Sequence, residues 1–268
     1  MMEIPIRPDT VLRRTLPNGG VVLALRDASS PTVSLRVLLP YAGAMADEQA
    51  GAGTARFVAA LLIRGTERLE AEALAEALDG MGASVQVTAG REATELTARA
   101  LAEDAERLVA ICAELLRNPT FPEAEIERVR GEIITSLRVL AKDPRTVAQW
   151  TLCRLLYPPP HPFRLPVEGT EEVIGRLSRE ELMAFWRAHY GPKDAIFVLV
   201  GDLDPARAVD LICGAFEDWR VEVAPIAEPQ DPAPPAGVER EVVAIEGKVQ
   251  ADVALGVPGI RRSDPDYL

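Results

Sequence analysis

The sequence is poor in the residues from which most metal, redox and nucleophilic sites are built. Its 268 residues include 2 His and 3 Cys. Cys112, Cys153 and Cys213 are far apart and form no C-x-x-C, which excludes a disulfide framework and a zinc knuckle. Cys112 lies in the apolar run L-V-A-I-C-A-E-L-L and reads as a small buried hydrophobe. Aromatics make up only 5%, so the core must be built mostly from Ala, Leu and Val. Basic residues are outnumbered, 29 against 41 acidic, for a net charge of -12. That balance argues against a nucleic-acid partner, because phosphates are held by Lys and Arg. It also gives an anionic membrane surface nothing to attract. No apolar run reaches the roughly 20 residues that span a bilayer. The opening M-M-E-I-P-I-R-P-D-T has no apolar targeting core, so the expected location is the cytoplasm. Gly43, Gly51 and Gly53 do not make a G-x-G-x-x-G, and no G-x-S-x-G occurs. Ser136 and Ser178 have no base nearby in sequence.

What is present is an ordinary globular composition, 48% hydrophobic and 26% charged. Residues 11–16 and 20–26 flank Pro17-Asn18-Gly19 and predict a hairpin. A third strand is expected over 32–40, where Val33, Leu35 and Val37 alternate, and 43–50 reads as a loop. Helices are expected over 53–64, ending at Gly65, and over 69–81, closed by Gly80 and Gly82. Strands follow at 83–88 and 93–100. The helix over 103–117 stops at Asn118-Pro119, and a long one over 122–141 opens on Pro122 with Glu123 and Glu125 in its first turn. Asp143-Pro144 starts another helix to about 156, before the extended Y-P-P-P-H-P-F loop. Ser178-x-x-Glu181 is a capping box for a helix to about His189. Residues 195–201 are a buried strand, and Asp204-Pro205 opens a helix to about Phe216.

This order predicts a complete α+β domain over 1–223, then a Pro-rich, semi-extended linker over 224–237. Residues 238–268, with E-V-V-A-I and Q-A-D-V-A-L-G-V-P, read as the first strands of a second, similar domain, and Asp264-Pro265 as a helix start. Two strands alone leave an open edge. The expectation is therefore a fragment of a longer protein, or a tail that pairs with another copy as a homodimer.

Four segments, in this order and spacing, resemble the insulinase (pitrilysin-type, or inverzincin) metallopeptidase family. They are L-P-N-G-G-V-V-L at 16–23, N-P-T-F-P-E-A-E-I-E-R at 118–128, H-P-F-R-L-P-V-E-G-T at 161–170, and L-S-R-E-E-L-M-A-F-W-R-A-H-Y-G-P-K-D-A-I-F-V-L-V-G-D at 177–202. The resemblance covers nearly the whole chain. It implies an antiparallel sheet covered by helices on one face, the LuxS/mitochondrial-processing-peptidase-like metallohydrolase fold. Active members carry H-x-x-E-H before a K-G-T, two His for zinc and a Glu as general base, with a second Glu as third ligand. Anchored on Arg64-Gly65-Thr66, that motif falls on Arg56-Phe57-Val58-Ala59-Ala60. Arg56 replaces the first His, Ala59 the Glu and Ala60 the second His. The third ligand falls on Thr135 or Ser136.

The donor chemistry agrees independently. Zinc needs three ligands from His, Cys or carboxylate, and alanine has no lone pair while arginine repels a cation. His161 reads as a packed loop residue and His189 as a helix-terminal residue. Glu92 and Glu95 do not form a catalytic pair, and the acidic run at 67–76 is a solvated helix face. No catalytic, cofactor-binding or metal residue is therefore assigned, and zinc is expected only in a partner. Arg56 reads as a surface residue at the start of its helix; the alternative is that it stands where zinc would sit, with its guanidinium paired to Glu132 or another acid nearby. The resemblance implies a catalytically degenerate subunit, like the alpha-type subunit of mitochondrial-processing-peptidase-like bacterial pairs. Such a subunit binds peptide at a sheet edge and completes the chamber of a zinc-bearing homologue. The acidic balance favours basic peptides. The alternatives are a structural scaffold without peptide contact, and an enzyme of unrecognised chemistry.

Overall fold

The computed structural model describes residues 10–234, 236–261 and 264–267. Residues 1–9, which carry the opening read above for a targeting segment, lie outside them. Six strands form one sheet: β1 (Leu12–Thr15), β2 (Val21–Arg26), β3 (Thr32–Leu39), β4 (Ser84–Ala89), β5 (Thr94–Leu101) and β6 (Ile196–Gly201), in the order β1-β2-β6-β3-β5-β4. The β1–β2 turn closes with Leu16 N–H donating to the Gly20 carbonyl at 2.7 Å, and Gly19 takes the positive φ it requires. The Asn18 side-chain amide donates to the Phe216 carbonyl at 2.6 Å and pins this hairpin to a segment 198 residues further along the chain.

The sheet is antiparallel at every pairing except β2 with β6, where Val21 lies opposite Ile196 and Arg26 opposite Gly201 in parallel register. The exception is topological. β2 and β3 point in opposite directions, so a strand inserted between them must run parallel to one of the two. The continuous apolar run A-I-F-V-L-V-G suits that central position.

The helices are α1 (Asp47–Ala50), α2 (Thr54–Leu61), α3 (Ala71–Asp79), α4 (Ala105–Arg117), α5 (Glu123–Leu140), α6 (Pro144–Leu156), α7 (Glu171–Arg176), α8 (Arg179–His189) and α9 (Pro205–Phe216). Side chains fix several starts. The Asp143, Thr170, Ser178 and Asp204 side chains accept from backbone N–H groups of α6, α7, α8 and α9, and Ser178 with Glu181 makes the reciprocal capping box. Inward positions of the strands, among them Val22, Val33, Leu35, Val37, Leu96, Phe197 and Leu199, are buried under α2, α4 and α9. Ser34, Arg36 and Arg99 on the other face are exposed. Cys112 is fully buried in this core, and desolvation pushes its thiol up to about 12, so it packs as an inert hydrophobe.

Two short helices depart from the sequence reading. α1 lies within 43–50, and α7 precedes α8. The larger departure is at the tail. The described residues of 238–261 contain no strand, and Val238, Val242, Val253 and Leu255 are exposed. Two strands with no third strand or helix to cover them cannot bury an apolar face, and such a pair is marginal in water. Instead the segment runs irregularly past α6, with Arg154 ion-paired to Glu241 and Gly256 against Leu152 and Leu156. Asp264-Pro265 opens only a 3₁₀ turn, Pro265–Tyr267. Among the described residues, no helix is long and apolar enough to cross a membrane.

Candidate functional site

The place where the family resemblance puts the metal motif is built by α2, α5 and the loop before α7. The N-terminus of α2 is set by Asp47. Its buried carboxylate accepts from Gly53 N–H at 2.7 Å and from Ala55 N–H at 2.8 Å, two donors that a helix start otherwise leaves unsatisfied. On α2, Phe57, Val58 and Ala59 point into the core, while Arg56 and Ala60 are only half-buried. The Arg130 guanidinium of α5 lies 5.3 Å over the Phe57 ring and donates to the carbonyls of Ile174 and Leu177, locking α5 to the end of α7.

Arg56 and Ser136 meet across the α2–α5 contact. Arg56 Nη2 donates to Ser136 Oγ at 3.4 Å, and Nη1 to the Glu168 carbonyl at 3.3 Å. Of the two positions open for the third ligand, Ser136 is therefore the one that faces α2. The Thr135 hydroxyl turns back to the Gly131 carbonyl of its own helix at 2.8 Å. Both Arg56 partners are neutral oxygens: Arg56 is half-buried rather than a surface residue, and it does not take the alternative of an acid partner such as Glu132. Arg64, two turns further on, lies 3.6 Å from Glu132, whose other oxygen takes Arg128 at 2.8 Å.

Glu168 and Trp150 were not singled out from sequence. The Trp150 indole N–H donates to Glu168 Oε2 at 3.3 Å, so one residue joins α6 to the Arg56 guanidinium. The only local signal was the E-G-T ending of the 161–170 segment. Its Gly169 (φ +89°) and Gly53 (φ +96°) touch backbone to backbone, which brings the Glu168 carbonyl to α2. Arg91, in the β4–β5 turn, holds the same loop by donating to the Pro162 and Leu165 carbonyls, each at 3.2 Å.

Neither histidine is near a ligand set. His161 packs in a cluster with Tyr157 and Phe163, tilted against the first and edge-on to the second with ring centroids at 4.5 and 5.2 Å, and its Nδ1 accepts from Phe163 N–H. Burial, helped by Arg91, holds it below the usual imidazole range. His189 ends α8 against Phe185 and is likewise lowered by burial. Among the described residues, no three His, Cys, Asp or Glu side chains are grouped to hold a metal. Arg56, Ala59, Ala60 and Ser136 supply one cation, two methyl groups and one neutral hydroxyl, a set that does not fit zinc. Beside α2, β4 is an edge of the sheet, with Ser84, Gln86 and Thr88 exposed along it.

Asp47 carries a separate prediction. Burial raises its carboxyl from 3.8 to about 7, outweighing the two N–H donors and Arg91, which lower it. The folded state therefore holds this proton more tightly than the unfolded chain. The group's stabilisation is complete below 3.8 and is lost as pH rises through about 7. Thermal midpoints measured across that interval should fall more steeply with rising pH for the native chain than for Asp47→Asn; parallel curves would refute the assignment. Asp47→Ala, which orphans both N–H groups, should cost about 1–3 kcal/mol.

Comparison with known proteins follows the same outline. Residues 21–157 match the family described as insulinase (peptidase family M16), and residues 176–268 match the peptidase M16 inactive domain. An uncharacterized zinc protease of Streptomyces coelicolor is 26% identical over 263 residues, 95% of this chain and 56% of the relative. Subunit 1 of the mitochondrial cytochrome b-c1 complex of Bos taurus is 25% identical over 255 residues, 94% of this chain and 52% of the relative. The crystal structure of a peptidase M16 inactive domain from Pseudomonas fluorescens superposes with a TM-score of 0.77 at 25% identity, covering 84% of this chain and 54% of that one. The chain spans about half the length of the curated relatives it matches.

Proposed function

Because the chain belongs to the insulinase family, peptidase family M16, we propose that it is a catalytically degenerate subunit. In this reading it binds peptide and completes the chamber of a homologous partner that carries the H-x-x-E-H zinc motif. The observation that carries it is the Arg56–Ser136 contact at 3.4 Å. The positions where the family resemblance puts the first and third ligands meet across α2 and α5, yet they hold a guanidinium and a hydroxyl. In this reading the frame of the site is kept while its donors are replaced, which suits a chain that retains peptide binding and leaves the chemistry to its partner. The exposed edge of β4 offers unpaired backbone groups to an extended peptide. The excess of 41 acidic over 29 basic residues favours a basic one.

A scaffold role is the second reading, favoured by the match to a subunit of the b-c1 complex. One experiment separates the two. A basic, unstructured, fluorescence-quenched peptide is incubated with the chain alone, with an H-x-x-E-H homologue from the same genome alone, and with both. The chain alone is expected to give no cleavage, and the mixture to raise kcat/KM at least about tenfold over the homologue, equivalent to about 1.4 kcal/mol of transition-state stabilisation. A stable complex with no gain in rate would establish the scaffold. Chelator-insensitive cleavage by the single chain would overturn both.

A further inference from the structure

The helices α2, α4 and α9 cover one face of the sheet, and the ion pair of Arg14 with Asp210 places α9 there beside β1. On the opposite face the strand register aligns Val21 with Ile196, Leu23 with Val198 and Leu25 with Val200. These six aliphatic side chains of β2 and β6 are half-buried and form a stripe two strands wide. Leu38 widens it at one end, opposite Ile196. Further across, the same face is polar, with Ser34 and Arg36 on β3 and Thr97 and Arg99 on β5. Antiparallel strands that face water on one side alternate apolar and polar residues, whereas parallel strands are apolar on both faces because both are covered. β3 and β5 follow the first pattern. β2 and β6, the parallel pair, follow the second, yet α2, α4 and α9 cover only one of their faces.

We propose that this stripe is the docking surface for an amphipathic α-helix of a protein partner, with acidic residues along both flanks of its apolar side. Width selects a helix. Neighbouring strands lie about 4.8 Å apart, so two of them with their side chains present a band about 10 Å across, the diameter of one helix. A second sheet would cover the polar strands as well. Along the strands, Val21 to Leu25 spans about 13 Å, or roughly nine residues of helix. Charge selects the flanks. Arg13 on β1 lies beside Leu23, and Arg99 on β5 lies two strands beyond β6. Both are exposed, and among the described residues neither has an acidic partner, whereas Arg36 is paired with Glu95. The stripe thus lies between two unpaired guanidiniums in a chain whose net charge is -12. A second copy offering the same face would bring like charges together and does not fit.

The test uses the full chain and the fluorescence anisotropy of two labelled peptides, E-L-E-A-L-L-A-E-L-E-A-L-L-A and its counterpart with Lys at every Glu. As helices both present one leucine stripe, and they differ only in the sign of its flanks. Saturable one-to-one binding of the Glu peptide is expected, at least about tenfold tighter than that of the Lys peptide. Arg13→Glu/Arg99→Glu, at two exposed positions, should reverse that preference. Leu23→Thr/Val198→Thr keeps good strand formers in the sheet and should weaken both peptides at least about tenfold. Equal affinity for the two peptides, a preference unmoved by the charge reversal, or no saturable binding would overturn the proposal. Binding to phosphatidylglycerol vesicles that is lost in Leu23→Thr/Val198→Thr would overturn it in favour of a membrane. A native dimer that the same variant dissociates would overturn it in favour of a second copy.

Discussion

Gly169→Val is expected to cost roughly 3–5 kcal/mol and to detach the 161–170 segment from α2. Gly169 sits at φ +89°, where a β-branched side chain is strained. A Cβ there would also lie 2.8 Å from both the Ala52 carbonyl oxygen and the Gly53 Cα, atoms of a backbone that Asp47 holds in place. Gly53 faces the same problem from the other side, with φ +96° and a Cβ 2.6 Å from the Gly169 Cα. Neither contact involves a flexible side chain that could move away. For a domain of this size the thermal midpoint should fall by roughly 10 °C. The double variant Gly53→Ala/Gly169→Val should cost less than the sum of the singles, because both break one contact. Trp150 fluorescence should change as well, since its indole N–H bonds Glu168, the residue beside Gly169. A midpoint unchanged within about 2 °C would show that the two backbones can separate freely.

This glycine pair shows where sequence reasoning stops. Signals confined to a few residues were legible: the Pro17-Asn18-Gly19 turn, the Ser178–Glu181 capping box, and Asp143 and Asp204 before prolines all appear as read. The family-like segments carried the α+β fold class and the alignment that brings Arg56 near Ser136. Partners separated by a long stretch of chain were not legible. Nothing in the local sequence of Glu168 says that its carbonyl will meet Arg56 or its carboxylate Trp150. Asp47 lies in a stretch read as a loop, and its role as the acceptor for α2 depends on a turn that periodicity does not report. The Glu132 alternative for Arg56 is not formed, for a geometric reason. Arg56 and Arg64 stand two turns apart on one stripe of the chain, so spacing alone could not decide which of them faces Glu132. At 238–261 the strand-like alternation does not become strand among the described residues, because alternation marks a two-sided surface and not the neighbour it would pair with.

Arg56, Ala59, Ala60 and Ser136 stand where the family resemblance puts three metal ligands and a base. Restoring those places is the second large effect expected. Arg56→His, Ala59→Glu, Ala60→His and Ser136→Glu together replace a cation, two methyl groups and a hydroxyl with two imidazoles and two carboxylates. They stand on α2 and α5, elements already held together by Arg130. The measurement is zinc per chain by elemental analysis, after exhaustive chelation and reloading, on the native chain and on this variant. The native chain is expected to retain below about 0.1 equivalents and the variant about one, as three protein ligands require. Stoichiometric zinc in the native chain would contradict the account, because it would place a working ligand set elsewhere and return the chain to the enzymes of its family.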